Sequence, residues 1–297
     1  MNIDNFIYAH HKAVWVRMFR GPLNIARRFC RKYRIILGEK IGLPVPREFT
    51  MKLEWLKHFD KNPLMPEYAD KVEVKRHMSK IIGDEFLIKT LGVYDKASEI
   101  DFDKLPNKFV LKTNNASGTN IIVADKSKLD IDSAREKLDL WLKQKFGEKE
   151  HEWQYLQIKP KILCEEFIET EDGELSDFKF FCLNGKVRFA WKDIGRFTKN
   201  KARAIFDAGW NRIPMTLFTR NYEGDVPKPK NYEKMVEIAE KISQPFKEVR
   251  VDLYNVDGKI YFGETTFFSG DLFFRPRKYN KIWGDMLDLG IERRSER

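Results

Sequence analysis

Val249-Arg250-Val251-Asp252-Leu253-Tyr254, then Asp257-Gly258-Lys259, then Ile260-Tyr261-Phe262-Gly263-Glu264-Thr265-Thr266, reads as two β-strands joined by a tight Asp-Gly turn. Side chains two apart on a strand share a face, so Arg250 sides with Asp252, and Glu264 with Thr266. If the two faces coincide, one hairpin presents an arginine, two carboxylates and a hydroxyl to a single cleft. That set suits a magnesium ion bridging nucleotide phosphates, because magnesium is a hard cation that takes one or two carboxylates together with phosphate oxygens.

The 297 residues around this hairpin allow one large domain or two to three packed lobes. A mean hydropathy of −0.54, and no run near the roughly 20 apolar residues that a bilayer requires, argue against a membrane-spanning protein. Cys30, Cys164 and Cys182 lie far apart without a CxxC pair, and no secretory signal is seen, so reduced thiols in a cytoplasmic setting are expected. A net charge of +10 and a pI near 9.3 call for anionic partners.

Much of the excess charge lies near the N-terminus, where Arg17, Arg20, Arg27, Arg28, Arg31, Lys32 and Arg34 interleave with Trp15, Phe19, Leu23 and Phe29. Residues 1–46 therefore read as a basic amphipathic helical arm, closed by Leu43-Pro44-Val45-Pro46. The arm either caps the globule with a solvated basic face or lies peripherally on an inner membrane of anionic lipid. Nucleic acid is not an expected partner, since no helix-turn-helix, zinc-finger or RNP-like signature is present.

Helical spacing is predicted over 50–59, 70–82, 130–146 and 231–243, with Ala134, Leu138, Trp141 and Leu142 as one buried stripe. Strands are predicted over 87–94, 109–112, 121–124 and 161–167, and a second hairpin runs 178–183 and 186–191 across Asn184-Gly185. Many hairpins interrupted by helices predict an α+β protein with largely antiparallel sheets.

Lys112 ends a strand and leads into the small polar loop Asn114-Asn115-Ala116-Ser117-Gly118. Such a loop can lay backbone N–H groups over phosphates while the lysine adds a point charge, although the spacing is not that of a Walker A loop. Glu165-Glu166-Phe167-Ile168 is either a solvated strand end or a connecting strand that hydrogen-bonds an adenine edge and holds a ribose. Asp177 and Lys179 share a face, as a surface ion pair or with Lys179 on phosphate. The polar stretch 192–212, with Asp193, Arg196, Arg203 and Asp207, is a solvated loop by default and an anion-binding substrate loop in the sharper reading. The histidines lack zinc-ligand spacing, and GxSxG, GxGxxG and nucleophilic-cysteine signatures are missing, which weakens hydrolase and dehydrogenase readings.

Taken in order, these pieces resemble the ATP-grasp superfamily, and within it the TupA-like branch, named for teichuronopeptide biosynthesis and frequent in capsule and surface-polysaccharide clusters. The resemblance covers roughly 50–290. It rests on Asp70-Lys71 with Arg76, Leu91-Gly92-Val93-Tyr94, Leu105-Pro106 before Lys112, the 114–118 loop, Pro160-Lys161, 165–169, 177–181 with Asn184-Gly185, Arg196-Phe197, Asp207, Trp210 and the hairpin that begins at Arg250. Each motif is weak alone; their order is specific.

The resemblance implies an ATP-grasp fold: after the arm, an N-terminal lobe (47–107), a nucleotide-binding lobe (108–168) and a C-terminal lobe with the metal and substrate site (169–297). By it, Lys112 and Lys179 contact phosphates, Asn114, Ser117 and Gly118 cover them, and Glu165, Glu166, Phe167 and Ile168 frame the adenine. Asp252 and Glu264, with Thr266 beside them, hold magnesium; Arg250 and Lys179 act on the transferring phosphoryl group; Arg196, Arg203 and Asp207 face the substrate. Two departures stand out: Asn115-Ala116 replaces the family's His-Gly, and Thr266 replaces a common asparagine.

The implied activity is ATP-dependent ligation of a carboxylate to an amine through an acyl phosphate, joining an amino acid or amine to a uronic acid of a surface polysaccharide. A glycosyltransferase or phosphotransferase is the enzymatic alternative, for which no DxD on a Rossmann-like strand is found. A non-catalytic, basic membrane- or polymer-binding protein is the other.

Overall fold

The computed structural model describes residues 46–148, 152–170, 175–195, 199, 201–217, 219–269 and 274–291. The helical arm expected over 1–46 lies outside them apart from Pro46, as does Arg196. Arg47–Leu289 form one compact unit.

Three helices come first: α1 (Phe49–Phe59), α2 (Met65–Ala69) and α3 (Glu73–Ile81). Strands β1 (Thr90–Tyr94), β2 (Phe109–Thr113) and β3 (Asn120–Val123), helix α4 (Ile131–Leu142) and strand β4 (Ile162–Glu166) follow. Strands β1–β4 make an antiparallel sheet in the order β1-β4-β2-β3. Asp130 caps α4 by accepting the Ser133 N–H at 3.0 Å; Leu138 packs into the core with Phe109, Leu111 and Ile162, and Ala134 is buried. The expected stripe is present, but the helix stops at Leu142 rather than 146.

The larger sheet takes β5 (Asp177–Leu183), β6 (Lys186–Ile194) and β7 (Ala202–Asp207); after the short β8 (Thr216–Leu217) and helix α5 (Tyr232–Ser243) come β9 (Glu248–Val256) and β10 (Lys259–Thr266). Its order is β10-β9-β5-β6-β7, again antiparallel. Strand β11 (Phe274–Arg275) pairs with β8, and α6 (Lys278–Met286) closes the described chain. Both hairpin turns carry two residues at positive φ, Asn184-Gly185 (50° and 75°) and Asp257-Gly258 (51° and 96°), the geometry that matches strand twist.

Helix α5 buries Met235, Ile238, Ala239 and Ile242 on one face of this sheet. Part of the opposite face is roofed by aromatic rings: Trp283 of α6 stacks on Phe189 at 3.4 Å, and Phe189 on Phe181 at 4.3 Å. The rest of that face carries charge.

Candidate active site

The β9–β10 ladder is regular from Lys259↔Val256 to Phe262↔Leu253, then slips by one residue at Gly263, so that Glu264 faces Asp252 and Thr266 faces Arg250. An uninterrupted ladder would set Gly263 against Asp252 and turn Glu264 toward the other side of the sheet. The bulge makes the two polar faces coincide. Arg250 donates to both oxygens of Asp252 (2.6 and 2.8 Å), to Glu264 Oε1 (3.4 Å) and to Thr266 Oγ1 (3.0 Å).

Lys179, opposite Asp252 on β5, donates to Asp252 Oδ2 at 2.8 Å and also to Asp177. It is buried. Burial works against its charge, but Asp252 and Asp177 overcome this and hold the amine above its ordinary range. Burial likewise pushes Glu264 up, and Lys71 and Arg250 outweigh it, holding the carboxyl at about 2.

A second set of cations faces this wall. Lys71, in the turn between α2 and α3, reaches Glu264 Oε2 at 3.2 Å and donates to the Ala116 carbonyl at 2.8 Å, tying β10 to the β2–β3 loop. Lys75 of α3 and Lys112 of β2 both lie 2.5 Å from the buried Glu165 carboxylate. Burial raises Glu165, and Lys112 and Lys75 more than reverse it, so its pKa is lowered. Lys75 is fixed further by the Ile88 carbonyl (2.6 Å) and Thr90 Oγ1 (2.9 Å).

These contacts form two clusters, Lys179, Arg250, Asp252, Glu264 and Thr266 in one and Lys75, Lys112 and Glu165 in the other, with Lys71 linking Glu264 to the loop that follows Lys112. Ser117 and Gly118 stand exposed at the loop tip, where a side chain added at Gly118 would meet nothing within 4 Å. Glu166 is exposed at the end of β4, with Phe167 and Ile168 half-buried beyond it.

Other expectations change. Asn114 is fully buried, and its amide is spent on Asp70, Lys159 and Lys161 rather than open to a ligand. The Glu165 side chain is occupied by two lysines instead of standing free for a ribose. The stretch 192–212 is not a loop throughout: Asp193 belongs to β6, and Arg203 and Asp207 to β7. Asp193 grips Arg203 through two hydrogen bonds (2.7 and 3.1 Å), and the guanidinium lies 4.0 Å over Trp191. Asp207 accepts the Gly209 and Asn211 N–H groups, closing a turn. Lys71 and Lys75 are site residues that the sequence reading does not single out. The helix expected over 70–82 would put both on one face by their spacing of four; in the structure Lys71 lies in the turn before α3.

Asp252, Glu264 and Thr266 offer only oxygen as candidate ligand atoms, which fits magnesium. Among the described residues no group of three or more His, Cys, Asp or Glu side chains could hold a metal alone, so phosphate or water oxygens must complete any shell.

A family model described as TupA-like ATPgrasp matches residues 51–288. The chain belongs to the TupA-like ATP-grasp family. Its fold is accordingly ATP-grasp, α+β with antiparallel sheets. No curated protein gives a significant match to this TupA-like chain. Solved structures similar to it include D-alanine–D-alanine ligase from Bacillus anthracis complexed with ATP (14% identity, TM-score 0.46, 74% of this chain and 63% of that one). Phosphoribosylamine–glycine ligase from Thermotoga maritima aligns at 14% identity and TM-score 0.41, over 80% of this chain and 56% of that one. The ATP-grasp ligase PsnB complexed with minimal precursor, Mg and ADP aligns at 9% and 0.42, over 76% and 59%. The TupA-like chain spans less than two thirds of the length of each. Among its described residues no helix is long and apolar enough to cross a membrane.

Proposed function

We propose that this chain is an ATP-dependent carboxylate–amine ligase that forms an amide bond through an acyl phosphate. The observation that carries the reading is the register-matched Asp252–Glu264 pair, set among Arg250, Lys179, Lys71, Lys75 and Lys112. Cations this dense suit the negative charge that builds on a transferring phosphoryl group.

In the proposed reaction a substrate carboxylate oxygen attacks the γ-phosphorus of ATP. The bond from that phosphorus to the β,γ-bridging oxygen breaks, and ADP leaves. An amine then attacks the acyl carbon, inorganic phosphate departs with the carbon–oxygen bond pair, and the amine proton passes to phosphate or solvent. Arg250 and Lys179 steady the transferring group, while Lys71, Lys75 and Lys112 orient the remaining phosphates under the Ser117-Gly118 tip. Asp252 and Glu264, with Thr266 beside them, would hold magnesium, which would supply neutralisation of phosphate charge. Little acid–base work falls to side chains; positioning and water exclusion do most of it.

The substrate we assign is a uronic acid of a surface polysaccharide joined to an amino acid or amine. The TupA-like membership and the basic surplus of the chain support it. Arg203, held over the Trp191 ring, is the described cation we place toward that acid. Cytoplasmic placement, with the arm touching the inner membrane, is part of the same proposal.

The test is to incubate the protein with ATP, magnesium, glucuronate or galacturonate and a panel of amino acids, following ADP and phosphate. ADP release that needs both carboxylate and amine is expected. UDP release from a nucleotide sugar, without ATP consumption, would refute ligation.

A further inference from the structure

Lys71 and Lys75 come from the helical segment rather than from either sheet, so something must hold them against the β2–β3 loop. The contacts converge on one buried pair. Asp70 Oδ1 accepts the N–H groups of Val72 (2.8 Å) and Glu73 (3.3 Å), fixing the entry to α3, and also the Asn114 Nδ2–H at 2.9 Å. The Lys71 N–H donates to the Asn114 carbonyl at 3.1 Å.

Asn114 uses the rest of its hydrogen-bonding capacity on a third segment. Nδ2 also donates to the Lys159 carbonyl (3.1 Å), Oδ1 accepts the Lys161 N–H (2.7 Å), and its own N–H donates to the Lys161 carbonyl (3.0 Å). Asn114 is completely buried and Asp70 is 8% exposed. The three segments that meet here are those that deliver Lys71 and Lys75, Lys112 with its loop, and Glu165.

We propose that Asp70 and Asn114 are a positioning pair that sets nucleotide affinity without touching the nucleotide, by fixing Lys71 and Lys75 relative to Lys112 and the 114–118 loop. The inference rests on the nucleotide reading of the site. It replaces a ligand contact by Asn114 with an architectural one. An amide suits the task because it both donates and accepts; an aspartate at 114 would lose two donors and bring a second carboxylate against Asp70.

The experiment measures binding of Mg-ADP to the full chain by titration calorimetry, alongside thermal melts. Asp70→Ala and Asn114→Ala should each weaken Mg-ADP binding by roughly tenfold or more, as expected for a buried hydrogen bond to a charged group. Because the two changes share the Asp70–Asn114 contact, the double variant should lose less than the two single losses multiplied together. The exchanged variant Asp70→Asn with Asn114→Asp, which restores one donor–acceptor contact in reverse, should recover at least part of the loss.

Folded single variants that bind within twofold of the wild type, or losses that multiply fully in the double variant, overturn the proposal. Should both alanine variants fail to fold, the exchanged variant decides: its recovery of fold without any recovery of affinity also counts against positioning. If the wild type itself binds no Mg-ADP, the nucleotide reading fails, and this inference falls with it.

Discussion

Glu248 offers a quantitative test of how this sheet is held together. It lies on the same strand face as Arg250 and Asp252 but is only 1% exposed, and one of its oxygens accepts the Phe268 N–H at 2.9 Å. Burial pushes its carboxyl up from 4.5 to about 7, against the opposing pull of the Phe268 N–H, Arg250 and Lys57. A carboxyl raised in the folded state prefers to fold neutral. Its contribution is therefore fully present below the ordinary value and is lost as pH climbs from 4.5 toward 7. At about 1.4 kcal/mol per pH unit, that window is worth of order 3 kcal/mol. For a body of this size the shift in Tm is roughly 6–12 °C. Glu248→Gln is neutral at every pH and removes this dependence. Paired urea melts between pH 4.5 and 8 should find the two proteins alike at the acid end and the glutamine variant more stable at the alkaline end. Parallel pH profiles, or a glutamine variant that is the weaker at pH 8, would refute the reasoning.

Glu264→Gln should reduce ADP formation by about a thousandfold or more, since it removes a carboxylate from the proposed metal shell, with Tm changed by only a few degrees; normal turnover would remove Glu264 from that role. Deleting Gly263 should leave Phe262 facing the core and Glu264 facing Asp252 as successive residues of a regular ladder, so ATP turnover survives within roughly tenfold. Deleting Tyr261 instead shifts the phase of the residues before the bulge and should unfold the hairpin in a thermal melt. Lys52→Met strips the buried amine from the Gly284 and Leu287 carbonyls (2.7 and 2.5 Å), and chemical denaturation should register a loss of about 2–3 kcal/mol with Mg-ADP binding unchanged.

The two hairpins were legible because Asn-Gly and Asp-Gly between alternating strands have a steric reason to turn there, and both pairs do adopt positive φ. The start of α3 was placed three residues early, since the sequence does not distinguish an Asp70 that is helical from one that caps the next turn from outside. Strand β7 was missed because Arg203 looks solvated by composition; Asp193 on the neighbouring strand and the Trp191 ring beneath it allow its burial. At the site, the residue types on β9 and β10 could be read, but whether their faces coincide depends on a slip in pairing that has no periodicity of its own. Lys71 and Lys75 sit in a pattern that an ordinary surface helix would share. Their partners lie 193 and 90 residues away, on Glu264 and Glu165.

The ionic lattice of the cleft has a consequence for how strongly salt governs ligand capture. Lys71, Lys75, Lys112, Lys179 and Arg250 are already matched by Glu165, Asp177, Asp252 and Glu264, five cations against four carboxylates. A polyphosphate entering such a cleft exchanges one set of ionic partners for another instead of condensing onto bare charge, and these groups are largely shielded from bulk counterions. On the proposed nucleotide reading, equilibrium affinity should therefore depend only weakly on ionic strength. The first 46 residues hold nine lysines and arginines against two acids, so most of the net charge of +10 is not contributed by this set of ion pairs.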